Sequence, residues 1–214
     1  MKTFSGPHHL TTLTIAQLKF GTAGKWRAWK SSANACLVLR DQVQKWARSN
    51  QAGRCAYCLF EVNDDISRSE TIDHFIPQSL VPRWTYEPWN LVLACYTCNS
   101  KRKKTFNPLV LRVGEDSETV VYKNCVFRIV HPYLDVASDH LRGGYQADGT
   151  EPAPIWAVTS RGEQTIRIFE LDTPGRYFEW WKDHVATQHF AELAKRPGGL
   201  DQFDLLRAET SGRI

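Results

Sequence analysis

Between Lys25 and Ser49 the apolar residues Trp26, Trp29, Ala33, Leu37, Val43 and Trp46 recur near helical spacing with Lys and Arg between them, which predicts an amphipathic helix stopped by Asn50 and Gly53. From Arg54 to Pro108 that period breaks up into short apolar runs, Leu59 to Val62, Thr71 to Ile76 and Leu91 to Ala94, set among polar and turn-forming residues. Further on, Val110 to Val113, Val120 to Tyr122 and Val126 to Val130 predict strands split at Gly114-Glu115-Asp116 and Lys123-Asn124. Ile155 to Thr159 and Gln164 to Glu170 predict a hairpin around Ser160-Arg161-Gly162. A last helix opens on Thr173 as cap with Pro174 in its first position, closes at Arg196-Pro197-Gly198-Gly199, and carries Tyr177, Phe178, Trp181, Val185, Phe190 and Leu193 as an expected core-facing stripe. The order of these elements predicts an α+β fold in three parts: an N-terminal helical segment over 1–53, a motif-dense core over 54–108, and an extension of mixed strands plus a helix over 109–214 that packs on the core. Gly143 to Pro154 is its loosest stretch.

Composition agrees with a folded chain. The 214 residues are 42% hydrophobic and 23% charged, with 8 Trp and 10 Phe, enough apolar material to bury a core and too much for a solvated tail. Pro7, His8, His9 and Lys19 interrupt the first apolar positions, so neither a signal-peptide core nor a spanning helix can be drawn, and a cytoplasmic protein is expected. A net charge of +4 says little about partners by itself. Its distribution says more: no Asp or Glu falls between Cys95 and Arg112, where Lys101, Arg102, Lys103 and Lys104 concentrate positive potential. Such a run is either a solvated face or a phosphate contact, and its position directly after a cysteine pair favours the contact.

Four of the 6 cysteines fall into two pairs, Cys55-Ala-Tyr-Cys58 and Cys95-Tyr-Thr-Cys98. Each pair sets two sulfurs on one tight turn, and two pairs complete a closed tetrahedral zinc site whose role is structural, because no ligand position stays open for a substrate. A reducing compartment argues against disulfides, and Cys36 and Cys125, isolated among apolar neighbours, are expected to be buried and inert.

Between the pairs lies Thr71-Ile-Asp73-His74-Phe-Ile-Pro77-Gln-Ser79; Trp89-Asn90-Leu-Val-Leu precedes the second pair and Asn99-Ser-Lys-Arg102 follows it. An isolated Asp-His or a lone Asn is ordinarily a turn or cap residue. In this order and spacing the residues resemble those of the HNH, or ββα-metal, nucleases: Asp-His-x-x-Pro on the first strand, Asn-Leu entering the turn, and Cys-Asn-x-x-basic opening the helix. The Asp-His-x-x-Pro-Gln-Ser string and the Asn90 to Asn99 spacing also resemble the HNH domain of RNA-guided CRISPR nucleases. The resemblance implies a ββα-metal core with His74 as general base, Asp73 and Asn99 as ligands of a catalytic divalent cation, and Asn90 orienting the loop that bears His74. Many members carry His where Asn99 stands; a hard oxygen ligand there favours Mg²⁺. Arg102, with Lys101, Lys103 and Lys104, is expected to contact phosphates.

The function implied is a metal-dependent endonuclease that hydrolyses phosphodiester bonds, DNA before RNA, and that is sequence-nonspecific or weakly specific, since no recognition helix or repeat array is evident for reading base edges. A ribonuclease and a non-catalytic zinc-ribbon binding subunit are the alternatives. The layout also resembles small stand-alone HNH proteins of bacterial anti-phage systems, Septu and retron-associated nucleases among them, which implies a defence role and an ATPase partner. His131-Pro-Tyr-Leu-Asp135 and His140 form a second polar cluster, read as a turn anchored by Pro132 with Tyr133 and Leu134 packed inward.

Overall fold

Strand β1 (Glu70–His74) and strand β2 (Leu91–Cys95) pair antiparallel, with Asp73 opposite Val92 and His74 opposite Leu91. They belong to a computed structural model that describes residues 4, 29, 34–62, 68–110, 121–145 and 150–195. All five residues of β2 are buried, as expected of an apolar run covered on both faces. Helix α1 (Asn34–Asn50) packs against it, and the Gln51 side chain continues the strand pairing, donating to the Leu93 carbonyl at 2.9 Å and accepting the Leu93 amide at 3.0 Å. The chain leaves α1 through left-handed residues Ala52 and Gly53, and the Gly53 amide closes the turn on the Arg48 carbonyl at 2.7 Å. Of the helix expected from Lys25, only Trp29 among residues 25–33 is described; it packs with Val43, Tyr86 and Leu91.

A π-helix (Thr97–Lys103) follows β2, so the order strand, strand, helix stands over the motif-dense core. With the helices and small sheets that follow, the architecture is α+β, as the sequence predicts.

The C-terminal half departs from its predicted elements. Residues 111–120, and with them most of the strand expected at 110–113 and the first residue of that expected at 120–122, lie outside the described residues; Tyr122–Asn124 form a 3₁₀ turn, and 126–130 contribute one bridge, Leu109 to Phe127. The expected hairpin over 155–170 is a strand followed by a helix. Strand β4 (Ala153–Ala157) pairs antiparallel with β3 (Leu141–Gly144), and Ser160–Phe169 form helix α2. The reason is local. Thr159 caps the helix by accepting the Gly162 amide, and Gly162, Thr165, Ile166 and Phe169 repeat at helical spacing and are all buried.

Helix α3 (Pro174–Ala194) starts where predicted, with Thr173 accepting the Arg176 amide. Its closing signal at 196–199 lies outside the described residues. The buried side chains are Arg176, Trp180 and His184, one turn apart, not the expected stripe: Phe178 is 64% exposed, Val185 56% and Phe190 43%. Polar anchoring decides this face. The Trp180 indole donates to the Cys58 carbonyl at 2.9 Å, Asp183 pairs with Arg54 at 2.8 Å, and Glu179 pairs with Arg68 at 2.6 Å. One continuous apolar cluster runs from the cysteine turns to Trp180. Among the described residues no helix is long and apolar enough to cross a membrane.

Candidate active site and metal centre

The four sulfurs of Cys55, Cys58, Cys95 and Cys98 lie within 4.8 Å of one another, with Cys58 and Cys95 3.9 Å apart, and none of the four is more than 2% exposed. Zinc–sulfur bonds of about 2.3 Å in a tetrahedron require sulfurs roughly 3.8 Å apart, so the cluster fits a zinc ion. Its chemistry fits too. Hydrogen bonds from the other sulfurs, Cys55 first, hold Cys95 as a thiolate well below the usual thiol range, while burial pushes Cys55 up. Buried, crowded sulfur of this kind is compensated by a cation. The first cysteine turn is tied to the sheet by the Ala56 amide, which donates to the Leu93 carbonyl at 2.9 Å; Cys98 turns its amide onto the Cys95 sulfur at 3.4 Å. Cys125 is half-buried, against the expectation of a core thiol, and the side chain of Cys36 lies outside the described residues.

His74 ends β1. Its Nε2 lies 2.9 Å from the Thr85 carbonyl, which can only accept, so Nε2 carries the proton and Nδ1 is the ring's acceptor nitrogen. Burial pushes its pKa down to about 4, which keeps the ring neutral near pH 7. Trp29 packs edge-on against the ring, 4.7 Å between centroids. Asn90, fully buried, ties together both ends of the segment between the strands: Oδ1 accepts the Ile76 amide at 2.6 Å, and Nδ2 donates to the carbonyls of Ile76 and Trp84 at 3.0 Å each.

Asp73 is 4% exposed and doubly clamped. Lys103 donates to Oδ1 at 3.0 Å and to the His74 carbonyl at 2.8 Å, and the Tyr57 hydroxyl donates to Oδ2 at 2.5 Å. Burial pushes its carboxyl above the ordinary range against the opposing pull of the Lys103 ammonium. The wide π-helical turn, closed by the Lys104 amide on the Asn99 carbonyl at 2.9 Å, puts Asn99 and Lys103 on the face toward β1. There the Asn99 amide nitrogen donates to Thr71 Oγ1 at 3.0 Å, so its oxygen is the atom left to offer a ligand.

Asp73, His74 and Asn99 meet as walls of one cleft of about 340 Å³, together with Trp29, Gln78, Lys103 and Lys104. Gln78 Oε1 is buried there with no hydrogen-bond partner among the described residues, an acceptor that a ligand's donor or a cation's water would satisfy. Two oxygen donors beside open space suit a hard divalent cation completed by water, although the ammonium 3.0 Å from Asp73 competes for that carboxylate.

The basic run divides. Lys101 and Lys104 are exposed, as a phosphate contact requires. Lys103, 1% exposed, is the internal partner of Asp73, and Arg102 is spent on the Phe169 carbonyl at 2.8 Å and on Glu170 at 2.9 Å, where it docks α2. Charge runs carry no orientation in sequence, so this division was not legible there. Tyr57 and Thr85 were likewise missed, although Tyr57 stands between two motif cysteines.

Comparison with known proteins agrees with the geometry. Residues 55–105 match the family model of the HNH endonucleases, so an HNH nuclease domain occupies that stretch. Over 82 residues the chain is 29% identical to Protein ea31 of Escherichia phage lambda; the match covers 38% of this chain and 21% of that protein, about a fifth of the relative's length. No solved structure matches the chain.

Proposed function

We propose that the chain is a divalent-cation-dependent endonuclease that hydrolyses phosphodiester bonds, with DNA the first substrate to test. The reading is carried by the orientation of His74: with Nε2–H engaged by Thr85, its Nδ1 is the nitrogen left to take a proton from an attacking water in the cleft shared with Asp73 and Asn99. Asp73 and Asn99 would hold the cation, which supplies charge neutralisation at the phosphate when bound. Asn90 keeps the Thr85 carbonyl in place through its bond to the neighbouring Trp84 carbonyl. Lys101 and Lys104 give sequence-independent backbone affinity at the rim. Four thiolates and a zinc would hold the scaffold.

The layout extends the proposal to anti-phage defence beside an ATPase partner, and the face of α3 where Phe178 and Val185 are exposed beside half-buried Trp181 supports a protein partner. The test is nicking of supercoiled DNA, single-stranded DNA and RNA by wild type and His74→Ala in Mg²⁺ or Mn²⁺. Loss of cutting by roughly a hundredfold or more with nucleic-acid binding retained is expected. Binding without cutting by either protein would establish a zinc-ribbon binding subunit instead.

A further inference from the structure

Outside residues 55–105, the segment from Tyr122 to Asp135 buries the side chains of Tyr122, Phe127, Ile129, His131 and Tyr133. His131 is fully buried, and its Nδ1 accepts the amides of Tyr133 at 3.1 Å and Leu134 at 3.2 Å. Burial pushes its pKa down to about 3, so the ring is neutral and its proton sits on Nε2, 3.0 Å from the Tyr122 hydroxyl. The ring also bonds the Trp89 backbone; toward Tyr122 its Nε2–H leaves the hydroxyl as acceptor, and the hydroxyl's own proton goes to Asn90 Oδ1 at 3.1 Å, the same oxygen that takes the Ile76 amide.

The rings grip the loop at two further points. Phe75, next to His74, packs against His131 with centroids 4.3 Å apart and edge-on against Phe127 at 5.2 Å. Trp84, next to Thr85, meets Tyr122 edge-on at 5.3 Å. The hydrogen bond from His74 to Thr85 thus lies between two residues held from behind by the same cage.

We propose that His131 and Tyr122 are positioning residues of the nuclease site: through Asn90, Phe75 and Trp84 they fix the separation of His74 from the Thr85 carbonyl, and so the aim of Nδ1. The inference rests on the nuclease reading above and makes the C-terminal extension part of the catalytic apparatus. A base displaced by a fraction of an ångström loses rate without losing substrate affinity.

The decisive variant in the zinc-loaded 214-residue chain is Tyr122→Phe, which keeps the ring and removes the relay hydroxyl. Two measurements are made: kcat and KM for nicking of supercoiled plasmid DNA, and amide hydrogen exchange over residues 75–84. Expected are a fall in kcat of about tenfold with KM within about twofold, and exchange at Ile76 faster by about fivefold. Exchange along β2 and zinc content should not change. His131→Gln, whose side-chain N–H can still reach Tyr122, should recover more kcat than His131→Ala. Unchanged exchange at Ile76 overturns the relay, and faster exchange with unchanged kcat overturns its positioning role. If wild type and His74→Ala both fail to cut, the nuclease reading falls, while the exchange result still decides whether the relay holds the loop.

Discussion

Asp73 and Lys103 show how much of the site depends on one buried pair. An ammonium and a carboxylate at 3.0 Å, each no more than 5% exposed at the side chain, are costly to desolvate and costly to separate. Removing one partner leaves the other charged and enclosed. Lys103→Met is therefore expected to lose about 3–5 kcal/mol of stability, read by urea denaturation, and adding Asp73→Asn should restore part of it. A phosphate-contacting lysine on the surface would behave differently, with unchanged stability and a shallower salt dependence of nucleic-acid binding. In the sequence Lys103 is one of four adjacent cations. What separates it from Lys101 and Lys104 is the π-helical turn, and that geometry leaves no mark in residue type.

At the scale of elements, apolar period alone misled where capping and close approach decide the conformation. Ser160-Arg161-Gly162 has the composition of a turn, yet Thr159 caps a helix there and Gly162 lies where that helix crosses the end of β3. A Cβ on Gly162 would stand 2.1 Å from the His140 carbonyl oxygen. Gly162→Ala should therefore force α2 away from β3, at a cost of about 3 kcal/mol in a thermal or chemical melt, although alanine ordinarily favours a helix over glycine. If α2 were loosely seated, the substitution would stabilise the chain. The stripe on α3 misled for a related reason: its face is chosen by the Trp180 indole, Asp183 and Glu179, so Phe178, Val185 and Phe190 stay in solvent although they fit helical spacing, while Tyr177 packs against the core. By contrast, the strands bearing the motif and the N-terminal cap of α3 were legible, because Asp-His, Asn-Leu, the cysteine pairs and Thr173-Pro174 each bind a residue type to one local geometry.

For the whole molecule, the cysteine cluster is the point through which distant parts of the chain are joined. Tyr57, between two of the cysteines, donates to Asp73; the Cys58 carbonyl accepts from Trp180 of α3; and Ala56 pairs with Leu93 of β2. Held by a metal, these turns set the carboxylate in the cleft and anchor the last helix at once; without it, four thiols enclosed in apolar surroundings favour opening of the core. Chelation should thus unfold the chain. One zinc per chain is expected by metal analysis. Its removal should lower helical signal and the protection of β1 and β2 amides together in one transition, because ion binding and folding are linked. A Cys58→Ser, Cys95→Ser chain should lose the ion and show the same unfolding in the absence of chelator, while Cys125→Ser, whose thiol lies outside the cluster, should keep both ion and fold. Full zinc content in the double variant would place the ion elsewhere and remove the link between the cysteine turns and Asp73.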